Sequence, residues 1–236
     1  PVFSPIPDDP ALINFLAEYD AYYAQFSNPV LFPKFGTAKV FLSGTHNGVS
    51  LEGMDVEAVA ARKEVYTPGS RKPMVSPGSL KDDVFRRDFT TNSLMFDLTT
   101  GETHDLTGRG IADIKAGVLR TTSDPQVIFK EDPLRMMRAV RFMVQKGWKI
   151  DPDTEASIKQ NASWLRSISR ERVRDELNKM LVTGSPEVAL IALRDLGLLP
   201  YVAPELQKAV GMTQNIHHKH DVFDHTLEVL KAAIRA

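Results

Sequence analysis

Residues 131–142 read Glu131-Asp132-Pro133-Leu134-Arg135-Met136-Met137-Arg138-Ala139-Val140-Arg141-Phe142. Asp132 and Pro133 supply an N-cap and a first helical position, because proline lacks the N–H that a first turn leaves unpaired. Gly147 supplies a stop, so the stretch predicts a helix running to about Lys146. At about 100° per residue, Arg135, Arg138 and Arg141 spread over a band roughly 120° wide. Met136, Met137, Val140, Met143 and Val144 form the opposite face, which predicts core contact. A solvated face should be polar throughout, yet Leu134 and Phe142 fall inside the arginine band. The arginines are therefore expected in a pocket rather than in bulk water. Asp132 and Arg135 stand three apart and can meet on one face. That pair reads in two ways. It is a cap with a local ion pair, worth about 0.5–1 kcal/mol, or an acceptor beside forked donors, the equipment for reading a base edge.

Working outward, helices are expected at about 153–163, 170–182 and 186–196. Ser169 and Ser185 are the expected N-caps, Pro186 fits N1 and Gly197 fits C′. A further helix opens near Asp224. Toward the amino terminus the character changes near Ser123. Lys39 to Ser43 reads as a strand, and Met54 to Ala61 as another, in which alternation sets Asp55 and Glu57 on one face. These two should pair as an antiparallel hairpin. Leu94 to Leu98 and Thr103 to Leu106 predict a second hairpin. Leu12, Phe15, Leu16, Tyr19 and Tyr23 predict a helix over 10–26. Residues 64–80, with three prolines and two glycines, predict a mobile basic loop. The fold class expected is α/β followed by all-α.

The chain has 236 residues, 42% apolar and 25% charged, the balance of an ordinary soluble globular protein. That excludes a disordered chain, a collagen and a coiled-coil rod. No apolar run approaches the ~20 residues that span a bilayer, so no membrane helix is expected. The absence of cysteine excludes disulfides, thiolate zinc sites and cysteine nucleophiles, and fits a cytoplasmic location. Residues 1–60 carry seven acids and two bases, whereas 130–182 carry twelve bases and eight acids. An acidic first part before a basic middle fits a metal- or nucleotide-handling region beside a polyanion-binding one. The plain alternative is fluctuation in a neutral protein. The start, Pro1-Val2-Phe3-Ser4, lacks both an initiator Met and the marks of a signal peptide, so a processed product or fragment is expected.

Arg86-Arg87-Asp88-Phe89-Thr90-Thr91-Asn92 gathers two guanidiniums, a carboxylate, two hydroxyls and an amide. Forked guanidiniums fit phosphate oxygens, and Asp and Asn can reach ribose hydroxyls. The alternative is a solvated charged turn. His217-His218-Lys219-His220-Asp221-Val222-Phe223-Asp224-His225 is dense enough to bind a divalent metal, or to open a helix with capping histidines.

Residues 86–94 resemble the RRDFTINAL motif, and 131–142 the EDxxRxxRxxRF motif, of the class II CCA-adding enzyme and poly(A) polymerase family. Phe35-Gly36-Thr37, Glu57 with Arg62, Tyr66, Arg71-Lys72-Pro73 and Ile168-Ser169-x-Glu171-Arg172 match as well, so the resemblance covers about 30–182. It implies a nucleotidyltransferase-type mixed sheet head over 1–123, a helical neck over 124–183 and the start of a helical body over 184–236. It implies template-independent addition of CCA to tRNA 3′ ends from CTP and ATP, with Mg²⁺ and two-metal nucleotidyl transfer. Asp132 and Arg135 would hydrogen-bond the incoming base. Arg138 and Arg141 would support phosphate binding and the pocket, and Arg86, Arg87, Asp88 and Asn92 would hold ribose and triphosphate. Glu57 matches a metal carboxylate, with Asp55 its same-face neighbour as a catalytic candidate. The family's GGxxRD turn and DxD strand have no counterpart here, which again points to a fragment or to a degenerate homologue. The 217–227 stretch resembles the opening of an HD-type domain, in which His225 would match the first metal ligand. Alternatives are a poly(A) polymerase, a partial CC- or A-adding enzyme, a non-catalytic RNA-binding homologue and an HD phosphohydrolase.

Overall fold

The computed structural model describes residues 30–32, 36–46, 48–65, 74–97, 99–213 and 221–235. The helix expected over 10–26, together with Phe35, Tyr66, Arg71-Lys72-Pro73 and the histidines at 217, 218 and 220, lies outside the described residues. The chain divides into two compact units. The first runs up to Arg86 and includes Phe96–Glu102; the second holds Arg87–Met95 and everything from Thr103 onward. This division falls ahead of the change of character at 123, because the turn of 87–95 and residues 103–123 gather with the helices.

In the first unit, β1 (Val30–Phe32), β2 (Thr37–Phe41), the two-residue strands β3 (Thr45–His46) and β4 (Val49–Ser50), and β5 (Asp55–Val59) follow in order. β1, β2 and β5 form an antiparallel sheet in that order. Ala38 and Val40 alternate inward and are buried. Lys39 stands opposite Glu57, and Phe41 opposite Asp55. The expected hairpin is present, with its first strand two residues earlier than the apolar run suggested. The ends of the expected 64–80 loop are ordered differently. β6 (Arg62–Val65) pairs antiparallel with β7 (Met74–Pro77). Gly78 follows because a Cβ there would stand 2.6 Å from the Lys63 amide nitrogen. The helix α1 (Leu80–Phe85) opens on a capping box, in which Ser79 and Asp82 satisfy each other's backbone N–H groups.

The second unit is mostly helical. β8 (Met95–Phe96), at which the chain passes from the second unit to the first, and β9 (Thr103–His104), at which it returns, form at the places expected for a hairpin. α2 (Gly110–Ala116) ends at Gly117 in the left-handed region, where Trp148 closes over it. β10 (Val118–Leu119) pairs parallel with β11 (Lys149–Ile150). Between them lie α3 (Pro125–Glu131) and α4 (Leu134–Lys146). α4 is the helix read from the sequence. Asp132 accepts from the Leu134 N–H at 3.1 Å, and Gly147 closes it at φ 66°. Its apolar face is the core: Met136, Met137 and Val140 are fully buried, with Met143 and Val144 packed alongside. α5 (Pro152–Asn161), α6 (Arg170–Leu181) and α7 (Pro186–Asp195) complete the expected set. Ser169 and Ser185 occupy N-cap positions, but neither hydroxyl makes a cap hydrogen bond. The short helices α8 (Leu199–Val202) and α9 (Pro204–Ala209) precede α10 (Val222–Arg235). Among the described residues no helix is long and apolar enough to cross a membrane.

Asp221 ties α10 to the residues before it. One carboxylate oxygen accepts from the Asp224 N–H at 2.7 Å, the other from the Gly211 N–H at 2.6 Å. These backbone donors, Asp224 first, hold its pKa below the ordinary 3.8. Met137→Ala should cost about 2–5 kcal/mol by leaving a core cavity, read by urea unfolding. The Asp221 contribution is complete above pH 3.8 and is lost as pH falls from there through the lower folded value. Amide exchange in α10 should accelerate over that acid window in the parent chain, and the acceleration should flatten in Asp221→Asn.

Candidate nucleotide site

α4 carries the arginine band and gives each arginine a different partner. Arg135 donates to a carboxylate oxygen of Glu131 at 3.0 Å and to the Ile128 carbonyl at 3.1 Å. Arg138 reaches back fifty residues to Asp88, with Nε donating to Oδ2 at 2.7 Å. Arg141 pairs with Glu176 of α6 and donates to Gln145 Oε1 at 2.9 Å. The Arg135 and Arg141 side chains are only 11% and 12% exposed and so stand out of bulk water, whereas Arg138 is 34% exposed. The Phe142 ring lies under two of the three guanidiniums, 5.3 Å from Arg138 and 4.2 Å from Arg141.

The turn of 87–92 is built around Asp88, which is only 7% exposed. Its Oδ1 accepts from the Phe89 N–H at 2.9 Å and from Asn92 Nδ2 at 3.2 Å, which leaves Oδ2 for Arg138. Arg87 donates to the Asn92 carbonyl at 2.9 Å. Phe89 is fully buried and meets the Phe142 ring edge-on, 5.9 Å between centroids. Residues 120–122 back the turn: the Thr90 N–H donates to the Arg120 carbonyl, and the Thr122 hydroxyl to the Arg87 carbonyl. The Thr90 hydroxyl donates to Asp113, which with Asp151 brackets Arg120.

The second unit therefore gathers Arg87, Asp88, Asn92, Asp132, Arg135, Arg138 and Arg141. Arg86 is the exception. It belongs to the first unit and pairs with Asp83. The expected contact of Asp132 with Arg135 is also replaced. Asp132 meets Arg172 of α6 at 2.7 Å, and the carboxylate on Arg135 is that of Glu131. Asp132 has an extended backbone, φ −143° and ψ 98°, between two helices, so spacing rules for a continuous helix do not reach it.

Two members of the arrangement had no role assigned from the sequence. Arg172 entered only as part of a motif match, and Glu176 not at all. A signal for Glu176 exists. It is 3% exposed and sits on the buried stripe of α6 between Val173 and Met180, where a lone charge demands a partner.

Asp55 and Glu57 lie in the first unit. Asp55 is ion-paired with Lys39 at 3.0 Å, and Glu57 is exposed opposite Lys39 in the ladder. His225 sits in the first turn of α10, its N–H donating to the Asp221 carbonyl. Among the described residues no three His, Asp or Glu side chains stand together as metal ligands. They therefore do not fit the cradle that a Mg²⁺ pair needs, and no step is assigned to a metal held by them.

Known proteins resemble the chain in both halves. Residues 31–120 match a family model described as the poly A polymerase head domain. Residues 147–210 match one described as "Probable RNA and SrmB-binding site of polymerase A". The chain is 41% identical over 143 residues to the mitochondrial CCA tRNA nucleotidyltransferase of Saccharomyces cerevisiae, covering 59% of this chain and 26% of that protein. It is 36% identical over 156 residues to the A-adding tRNA nucleotidyltransferase of Deinococcus radiodurans, covering 64% and 35%. The crystal structure of the Bacillus stearothermophilus CCA-adding enzyme in complex with CTP superimposes with a TM-score of 0.62 at 35% identity, over 75% of this chain and 40% of that one. The chain spans about a quarter to a third of the length of the curated relatives it matches. The fold is thus of the nucleotidyltransferase type. Within that type, the chain belongs to the CCA-adding and poly(A) polymerase family.

Removing one partner of a buried pair strands the other charge, at about 3–5 kcal/mol. Glu176→Ala should be destabilised by that amount in urea unfolding. Glu176→Gln should lose less, because its amide oxygen still accepts from Arg141.

Proposed function

We propose that this chain serves template-independent addition of C and A to tRNA 3′ ends from CTP and ATP. The observation that carries the reading is the convergence of two motifs fifty residues apart, through Arg138 on Asp88, in the unit that also holds Asp132 and Arg135. Asp132 and Arg135 are the base-reading pair. An ionised carboxylate accepts from an exocyclic amine, as cytosine and adenine carry, while a guanidinium donates to ring nitrogens or carbonyls. Arg172, ion-paired with Asp132, orients that carboxylate. Arg138 and Arg141 face the phosphates and hold the pocket, and Arg87, Asp88 and Asn92 take ribose and triphosphate. The basic residues of 130–182 meet the RNA backbone, which is read by shape and charge rather than by sequence.

Support comes from the relatives: one is named a CCA tRNA nucleotidyltransferase, and another was crystallised with CTP. The Deinococcus radiodurans relative, named A-adding, favours a second reading, addition of the final A alone. The test is extension of tRNA lacking CCA, and of tRNA ending in CC, with labelled CTP and ATP, beside direct titration of the four nucleoside triphosphates. Incorporation of C, C and A supports the first reading. Extension of the CC-ended tRNA alone supports the second. Binding of neither CTP nor ATP overturns both.

Asp132→Ala should flatten the preference for CTP and ATP over UTP and GTP by roughly tenfold or more, since a good bidentate pair discriminates by about 1–3 kcal/mol. Its affinity for tRNA should stay close to the parent's. Competition among the four nucleotides measures the first and filter binding the second; an unchanged preference removes the base-reading role.

A further inference from the structure

The second unit contains a cavity of about 240 Å³ on another face of α6. Ile168, Val173 and Pro200 give it an apolar wall, and Arg166, Arg170 and Tyr201 stand around it. Arg166 stacks over the Tyr201 ring at 5.2 Å, and Arg170 Nη1 donates to the Tyr201 carbonyl at 3.1 Å. Residues 170 and 172 point about 200° apart on a helix. Arg170 thus lines the cavity while Arg172 meets Asp132 on the other side.

Ion pairing sets these arginines apart. Arg135, Arg138, Arg141, Arg172, Arg174 and Arg194 each have a carboxylate partner. Among the ion pairs of the described residues, neither Arg166 nor Arg170 takes part. Both are exposed, so their charge is uncompensated and available to an anion. A guanidinium offers five donors, and Arg170 commits one of them to the Tyr201 carbonyl. Drug-sized ligands occupy about 300–1,000 Å³. This cavity is smaller, so it fits one flat group whose remainder lies outside.

We propose that this cavity is a subsite for one unstacked nucleotide of a single-stranded RNA segment. The base enters against Ile168, Val173 and Pro200 and stacks on the Arg166–Tyr201 layer, while Arg170 takes the neighbouring phosphate. Stacking on an aromatic and a guanidinium plane, with phosphate held beside it, is how unpaired RNA is gripped without sequence preference. A purely acidic peptide would use the arginines and leave the tyrosine layer uncovered, whereas a nucleotide brings a flat base and its phosphate together. The inference rests on the RNA-substrate reading above and adds a binding surface separate from the nucleotide site.

The experiment uses the full chain, a labelled single-stranded RNA hexamer and tRNA lacking CCA, with CTP titrated in parallel. In Arg166→Glu/Arg170→Glu, affinity for both RNAs should fall at least tenfold while CTP affinity holds. For Arg166→Ala/Arg170→Ala the slope of log affinity against log salt for the hexamer should shrink by about 0.7 for each phosphate that the variant no longer neutralises. Hexamers carrying 5-iodouridine should cross-link on irradiation to Tyr201, located by mass spectrometry, a readout that needs no variant. Unchanged RNA affinity in both double variants, or cross-links confined to other residues, overturns the subsite. If the parent binds no CTP yet shows these RNA effects, the subsite stands and the nucleotide-addition reading falls. If the double variants instead lose binding of an Asp- and Phe-containing acidic peptide and keep RNA affinity, the occupant is a protein and the proposal is overturned.

Discussion

The ion pair of Arg138 with Asp88 is the contact on which the candidate site depends. A carboxylate this buried is costly unless it is paired and hydrogen-bonded. Asp88 divides its two oxygens: one holds its own turn through Phe89 and Asn92, the other accepts from α4. Pulling the turn away would strand a carboxylate and a guanidinium together. The turn has no regular ladder of its own beyond one 3₁₀ turn at Thr90–Asn92. It keeps its shape because Phe89 is buried against Phe142 and because residues 120–122 bond to its backbone. Charge, ring packing and backbone hydrogen bonds act on the same six residues.

The spacing of the arginines turns α4 into a connector. Residues three apart advance about 60° short of a full turn, so successive arginines point to successive neighbours. Arg135 addresses α3 through Glu131 and Ile128, Arg138 addresses the turn, and Arg141 addresses α6 through Glu176. Asp132 returns the contact to α6 through Arg172. Buried pairs contribute little net stability compared with apolar packing of the same volume, and Met136, Met137 and Val140 already provide that packing on the other face. What the pairs fix is where the charged groups stand. In the proposed reading a nucleotide then meets groups already oriented, and the entropy of ordering them is spent in folding.

How much of this was legible follows from what each signal depends on. α4 was legible because its cap, its stop and its two faces are all local. The Asp-Pro opening that marks it also occurs at Asp124-Pro125 and Asp151-Pro152, and both aspartates cap the helices that follow. Reading only one of the three left α3 unseen and started α5 one residue late. Ser169 and Ser185 carry the right side chain in the right place. At Ser185 the backbone, φ −148° and ψ 61°, is not the extended form that turns a hydroxyl back onto the helix. At Ser169 the backbone is extended, and nothing in the structure explains the missing bond. The partners of Arg138 and Arg141 lie fifty and thirty-five residues away, and no local rule selects them. Glu176 alone left a trace, as a carboxylate on an apolar stripe.

The acidic pair of the first unit shows the opposite limit. Alternation correctly set Asp55 and Glu57 on one face of a strand, and the ladder confirms their common side with Lys39. A metal centre needs more than this shared face. A two-metal centre holds its ions about 3.5–4 Å apart and needs carboxylates converging on the gap. Convergence requires side chains from a second segment facing the first, and the neighbouring strand here brings a lysine instead, already bonded to Asp55. Selecting a nucleotide needs donors and acceptors in a fixed array, which one connector helix and one turn can furnish. Moving a phosphoryl group needs clustered carboxylates, and Asp55 and Glu57, with Asp55 held by Lys39, do not supply that cluster by themselves. In the proposed reading the two tasks place different demands on the chain, and the groups gathered by α4 and the turn are those of the first.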